Sequence, residues 1–131
     1  MAHILIVDNS NTEVKFVKKI LQEHGHQTSE ASTGDEGMQK AKELHPDLII
    51  MDVIMHGKTN GYQATRQITS NPETKSIPIV IVSSLKTEND RVWGDMMGAK
   101  GYLGKPFQPN ELLEEINKQL DKPNPFGKVF K

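Results

Sequence analysis

The run His3-Ile4-Leu5-Ile6-Val7 passes without a polar break into Asp8-Asn9-Ser10. The pattern recurs as Leu48-Ile49-Ile50-Met51 into Asp52, Ile79-Val80-Ile81-Val82 into Ser83-Ser84, and Tyr102-Leu103-Gly104 into Lys105-Pro106. Short, near-continuous Ile- and Val-rich runs read as strands buried on both faces, which is the signature of a parallel sheet covered by helices. In such a sheet ligands bind beyond the carboxyl ends of the strands, so the polar residues that close the four runs are candidates for one site.

The segments between the runs carry helical spacing. Ser10 and Glu13 form a capping-box pattern ahead of Val14, Val17 and Leu21, with Phe16 and Ile20 widening the apolar face and Gly25 as the stop. Thr33 and Glu36 repeat the pattern before Met38, Ala41 and Leu44, which Pro46 terminates. A third helix runs from Gly61 through Ile68 to Asn71-Pro72, and Thr87 with Asp90 opens a fourth bearing Val92, Trp93, Met96 and Met97, closed by Gly98. Pro109 suits the first position of a fifth, striped by Leu112, Leu113, Ile116 and Leu120. A weak strand over Gln27–Ala31 fills the remaining gap. Five strands alternating with five helices make a doubly wound α/β domain.

Composition narrows the function. The 131 residues fit one domain, expected over 1–120 with an irregular tail over 121–131 where Phe126, Val129 and Phe130 offer packing surface. Cysteine is absent, which excludes thiolate chemistry and fits a reducing cytoplasm. A formal charge of -1 recruits neither nucleic acid nor an anionic membrane, and no apolar run approaches a membrane span. No helix-turn-helix module is expected in the residues that follow the last helix. The five histidines show no metal-ligand spacing.

At the strand ends, Asp8, Asn9 and Asp52 offer hard oxygen donors suited to Mg²⁺, which is held by one or two carboxylates plus waters and phosphate oxygens. Lys105 would meet a phosphoryl oxygen as a point charge, and Ser83 would donate a hydrogen bond to it. A carboxylate flanked by a cation and a lysine stays ionised and serves as a nucleophile toward phosphorus, so Asp52 is the candidate acceptor.

Taken together, Val7-Asp8-Asn9-Ser10, Met51-Asp52-Val53-Ile54-Met55, Ser83-Ser84 and Gly98-Ala99-Lys100-Gly101-Tyr102-Leu103-Gly104-Lys105-Pro106-Phe107 resemble the receiver domains of bacterial two-component response regulators over residues 3 to 120. The resemblance implies a flavodoxin-like sheet of order 2-1-3-4-5. It implies that Asp52 takes phosphate from a sensor histidine kinase with Mg²⁺ held by Asp8, Asn9, Asp52 and the Ile54 carbonyl, and that Ser83 and Lys105 contact the phosphoryl group. It makes Tyr102 the aromatic switch residue, raises the expectation of a cis Lys105-Pro106 bond, and places a downstream protein target on the face of the fourth helix, fifth strand and fifth helix. On that face Trp93 is either core or contact. Gly61-Tyr62-Gln63-Ala64-Thr65-Arg66-Gln67 and Val92-Trp93-Gly94 further resemble stand-alone regulators of pilus-linked chemotaxis systems governing twitching motility, expected as a monomer or weak dimer.

Three positions depart from that pattern. Asn9 replaces a metal-binding carboxylate, which makes a degenerate, phosphorylation-independent interaction module the alternative function. His56 stands where proline is usual, in a loop one residue longer that brings Lys58 toward the site. Ile54 and Leu85 are apolar where some relatives guide the hydrolytic water, so slow loss of phosphate is expected. The protein would thus catalyse its own phosphoryl transfer and slow dephosphorylation without being a metabolic enzyme. A flavin role is disfavoured, because the loop after the first strand lacks a phosphate-cradling Gly- or Ser/Thr-rich run.

Overall fold

The computed structural model describes residues 2–55 and 59–121. Ten elements alternate: β1 (His3–Val7), α1 (Asn11–Glu23), β2 (Gln27–Ala31), α2 (Gly34–Leu44), β3 (Leu48–Asp52), α3 (Gly61–Ser70), β4 (Ile79–Ser83), α4 (Glu88–Met96), β5 (Gly101–Gly104) and α5 (Pro109–Leu120). The strands form one parallel sheet in the order β2-β1-β3-β4-β5. His56, Lys58 and the tail beyond Asp121, for which loop and packing roles are expected above, lie outside the described residues.

Alternation along each strand explains the unbroken apolar runs. Ile4, Ile6, Leu48, Ile50, Val80 and Val82 pack with Val14, Val17 and Leu21 of α1 and Leu112 and Ile116 of α5. Leu5, Val7, Ile49, Met51, Ile79 and Ile81 face the other way, onto Ala41 of α2 and Ala64 and Ile68 of α3. Each fully buried Val, Leu, Ile or Met side chain among them contributes about 1.5–3 kcal/mol of burial free energy.

Helix ends follow the sequence with instructive exceptions. Gly25 (φ 85°) ends the turn after α1 and Gly98 (φ 104°) the turn after α4, both in the left-handed region that glycine enters freely. Thr87 and Asp90 make the reciprocal capping box expected of them. At α2 the box is displaced: Thr33 Oγ1 accepts from Glu36 N–H at 3.1 Å, but the Glu36 carboxylate accepts from Ser32 N–H, at 2.7 Å. At α1 only half of it forms. Ser10 Oγ accepts from Glu13 N–H at 3.3 Å, while Ser10 N–H donates to Asp8 Oδ1 at 2.9 Å, leaving the Glu13 carboxylate to go elsewhere.

Apolar side chains on α1 and α4 lie outside the core. Phe16 of α1 is half-exposed against Phe107, with ring centroids 5.8 Å apart. On α4, Val92, Trp93 and Met96 are all exposed, so Trp93 is a surface residue. The helix seats on the sheet through Gly94, where a Cβ would come within 2.9 Å of the Tyr102 ring.

Candidate functional site

Strand register sets the site. Val7 pairs with Met51, Asp52 with Val82, and Ser83 with Gly104, so Asp8, Asp52, Ser83 and Lys105 all emerge at one edge of the sheet. Asp8 and Asp52 flank β1 and β3, where the chain order reverses, which is the crevice in which open α/β sheets bind ligands. Asp8 N–H is tied to the Ala31 carbonyl at 3.0 Å and Lys105 N–H to the Ser83 carbonyl at 2.9 Å, extending the strand hydrogen bonding to both residues. The Lys105-Pro106 bond is cis, as the family resemblance implies.

Lys105 Nζ lies 3.2 Å from Asp52 Oδ1, 3.6 Å from Asp8 Oδ2 and 2.7 Å from Glu13 Oε2. The sequence reading missed Glu13, because a local capping role already accounted for it. The signal was available in Asp8, a better placed acceptor for Ser10 N–H. Asp8 and Asp52 are buried, whereas the Glu13 side chain is 42% exposed at the mouth.

A cleft of about 580 Å³ opens above these groups, walled by Asn9, Ile54, Ser84, Pro106 and the Phe16–Phe107 pair. Asn9 and Ile54 thus line the same cleft as the acids. Ser83 is fully buried, and its Oγ accepts from Leu85 N–H at 3.0 Å; Ser84 is the β4-end residue that lines the cleft. Tyr102 lies away from the acids. Its hydroxyl donates to the Leu85 carbonyl and lies 3.0 Å from the Tyr62 hydroxyl, and its ring packs beneath Arg91 at 5.4 Å.

Burial dominates the electrostatics. It pushes the Asp8 carboxyl up to about 6, with Ser10 N–H opposing, the Asp52 charge reinforcing, Lys105 opposing and Glu13 adding to the rise. Burial also raises Asp52, although the Lys105 charge and hydrogen bond hold it back. For Glu13, burial is outweighed by the hydrogen bond and charge of Lys105, and the carboxyl falls below its usual range. Lys105 is raised because its acidic partners, Glu13 foremost, overcome the burial that would neutralise it.

Carboxylate oxygens of Asp8, Glu13 and Asp52 all lie within 4.8 Å of one another. That donor set fits a hard divalent cation that retains part of its water shell.

Residues 4–117 match the response regulator receiver domain family. The chain belongs to that family. This receiver is 46% identical over 120 residues to protein PilH of Pseudomonas aeruginosa PAO1, covering 92% of this chain and 98% of PilH. A putative response regulator from Chloroflexus aurantiacus superposes with a TM-score of 0.88 at 30% identity, covering 92% and 98% of the two chains. The receiver domain of the sensor kinase PA1611 from the same Pseudomonas strain, solved with magnesium coordinated in its active-site cleft, shares the fold (TM-score 0.85, 24% identity, 92% of this chain and 98% of that one). A receiver implies a histidine kinase as partner. Among the described residues no helix is long and apolar enough to cross a membrane.

Proposed function

We propose that this receiver is a phosphorylation-dependent switch in which Asp52 accepts a phosphoryl group from the phosphohistidine of a sensor kinase. The observation that carries the reading is the Lys105–Asp52 pair, 3.2 Å apart at the switch-point crevice, with Asp8 beside it.

Asp8 and Asp52, with the Asn9 amide oxygen and the Ile54 carbonyl, would hold Mg²⁺. Bound there, the ion supplies charge neutralisation for the transferred phosphoryl oxygens. The chain's own groups do the rest. An ionised Asp52 oxygen forms the bond to phosphorus as the phosphorus–nitrogen bond of the kinase phosphohistidine breaks, its electron pair leaving with the imidazole. Lys105 faces the phosphoryl oxygens as a fixed positive charge. Ser83 would donate a hydrogen bond from its hydroxyl to the same group, and because its Oγ also accepts from Leu85 N–H, a shift of that oxygen would pass along the Leu85 peptide to Tyr102.

The output is a protein contact on the face of α4, β5 and α5, where Val92, Trp93 and Met96 stand exposed. The match to PilH over nearly its whole length supports a place in pilus-linked chemotaxis signalling, with residues 1–120 as the working domain. Function in the cytoplasm, as a monomer or weak dimer, follows from the same reading.

Incubation with Mg²⁺ and a small-molecule phosphodonor, followed by intact mass measurement, tests it. One added phosphoryl group that disappears in Asp52→Asn is expected. No adduct at saturating Mg²⁺ would overturn the switch and favour a phosphorylation-independent interaction module, the outcome that Asn9 makes worth testing.

A further inference from the structure

Glu13 enters the cleft from the first turn of α1 and places Oε2 2.7 Å from Lys105 Nζ, closer than either aspartate comes. Local helix structure does not require this. The Ser10 N–H that a capping glutamate would accept is taken by Asp8, so the Glu13 side chain is released from its own helix end into the site. Position 9 meanwhile contributes an amide. Asp8 and Asp52 against Lys105 would leave a single negative charge, too little to balance a divalent cation. With Glu13, three carboxylates face one ammonium and two negative charges remain.

We propose that Glu13 is the third anion of the Mg²⁺ site, supplying the charge that Asn9 does not. One of its carboxylate oxygens lies within 4.8 Å of an oxygen of Asp8 and of Asp52, close enough for its charge to act on a cation held between them whether or not it enters the coordination sphere. Its exposure at the mouth leaves it reachable by an incoming hydrated ion. The same carboxylate also pairs with Lys105 at 2.7 Å, so one residue faces both the cation position and the lysine. The inference rests on the proposed Mg²⁺-dependent reaction.

Binding of Mn²⁺ by electron paramagnetic resonance, with Mg²⁺ as competitor, reads the charge directly on the unphosphorylated protein. Glu13→Gln should weaken binding at least about tenfold, and adding Asn9→Asp to it should restore affinity to near the starting value. Affinity unchanged or tightened in Glu13→Gln overturns the proposal. A role exerted solely through Lys105 is separated by repeating Glu13→Gln in a Lys105→Met background. The loss persists there if Glu13 acts on the cation, and its disappearance refutes that action. A starting protein that binds no divalent cation would instead refute the Mg²⁺-dependent reaction itself, a result distinct from a cation bound without regard to Glu13.

Discussion

Lys105 and Glu13 stand 92 residues apart in sequence and 2.7 Å apart in space, a closer pairing than the 3.2 Å between Lys105 and Asp52, the proposed acceptor. One ammonium therefore compensates three carboxylates, and each depends on it.

Removing that ammonium exposes the dependence. Lys105→Met leaves buried, like-charged acids without a partner, and unfolding by urea at pH 7.5 should show a loss of about 1–3 kcal/mol. The lysine's pKa is raised in the folded state, so its contribution is fully present below the ordinary lysine range and disappears only as pH rises through that raised value. At pH 5 the loss should nevertheless shrink, because Asp8 is then largely protonated and needs less compensation. Equal losses at the two pH values would contradict the assignment.

Asp8 carries the opposite sign. Its folded pKa of about 6 lies above its ordinary value of 3.8, so the native state holds the proton more tightly. The stability it contributes is present below about pH 4 and is lost as pH rises toward 6. Asp8→Asn keeps an oxygen for Ser10 N–H while removing the buried charge. At pH 7.5 the metal-free variant should be more stable, by at most about 3 kcal/mol for two pKa units, with little gain at pH 4. Divalent cation binding should be abolished. In the unaltered protein, the rise in melting temperature caused by Mg²⁺ should fall away as pH drops below about 6. A rise independent of pH would exclude Asp8 as a ligand.

The extent to which this was legible in the sequence follows the range of the forces involved. β1, β3 and β4 announce themselves because burial on both faces demands unbroken apolar runs. β2, with Gln27, Ser29 and Glu30, does not, and its presence follows only from the need to join α1 to α2. Asp8, Asp52 and Lys105 converge because strand ends in a parallel sheet must share an edge. Glu13 escaped since its local pattern was complete without a tertiary partner. Trp93 was undecidable because helical spacing gives the stripe on α4 but not its direction, and Gly94, which lets the Tyr102 ring approach, is what fixes that direction.

Gly61 opens α3 where a side chain has no room. A Cβ there would overlap the Asp52 carbonyl and come within 2.7 Å of Val53 Cα, and Gly61 N–H already donates to the Val53 carbonyl at 2.9 Å. Both obstacles are backbone, so relief requires moving the segment that carries Asp52. Gly61→Ala should cost about 2–4 kcal/mol in urea unfolding and lower phosphorylation of Asp52 in the fraction that remains folded. Unimpaired phosphorylation would show that this contact does not position Asp52.

Tyr62 and Tyr102 share a hydrogen bond at the base of α4. Tyr102 spends its proton on the Leu85 carbonyl, so the Tyr62 hydroxyl is left to donate toward Tyr102 or to the Asp90 carbonyl, 3.3 Å away. Tyr62→Phe should remove about 0.5–1.5 kcal/mol, and Tyr102→Phe more, because it breaks the bond to Leu85 as well. Coupling between the two should be evident in a double-mutant cycle. Additive losses in urea unfolding would mean that the two hydroxyls do not act together, and that the link from Ser83 through Leu85 ends at Tyr102.

Ile54 bears on how long the proposed phosphorylated state would last. Its side chain is 59% exposed beside Asp52 and walls the cleft, yet it offers nothing that orients a water for attack on phosphorus. Leu85, at the other apolar position, holds its peptide against Ser83 and Tyr102 and presents no polar side chain. Among the described residues, neither Ile54 nor Leu85 brings a polar side chain that would orient water for hydrolysis of the proposed aspartyl phosphate, which forgoes the rate advantage of a prepaid orientation. Loss of label from the phosphorylated protein should extend over minutes or longer. Ile54→Asn, which places an amide at the cleft wall, should shorten it severalfold without affecting the initial incorporation. A half-life of seconds in the unaltered protein would show that another group already guides the water.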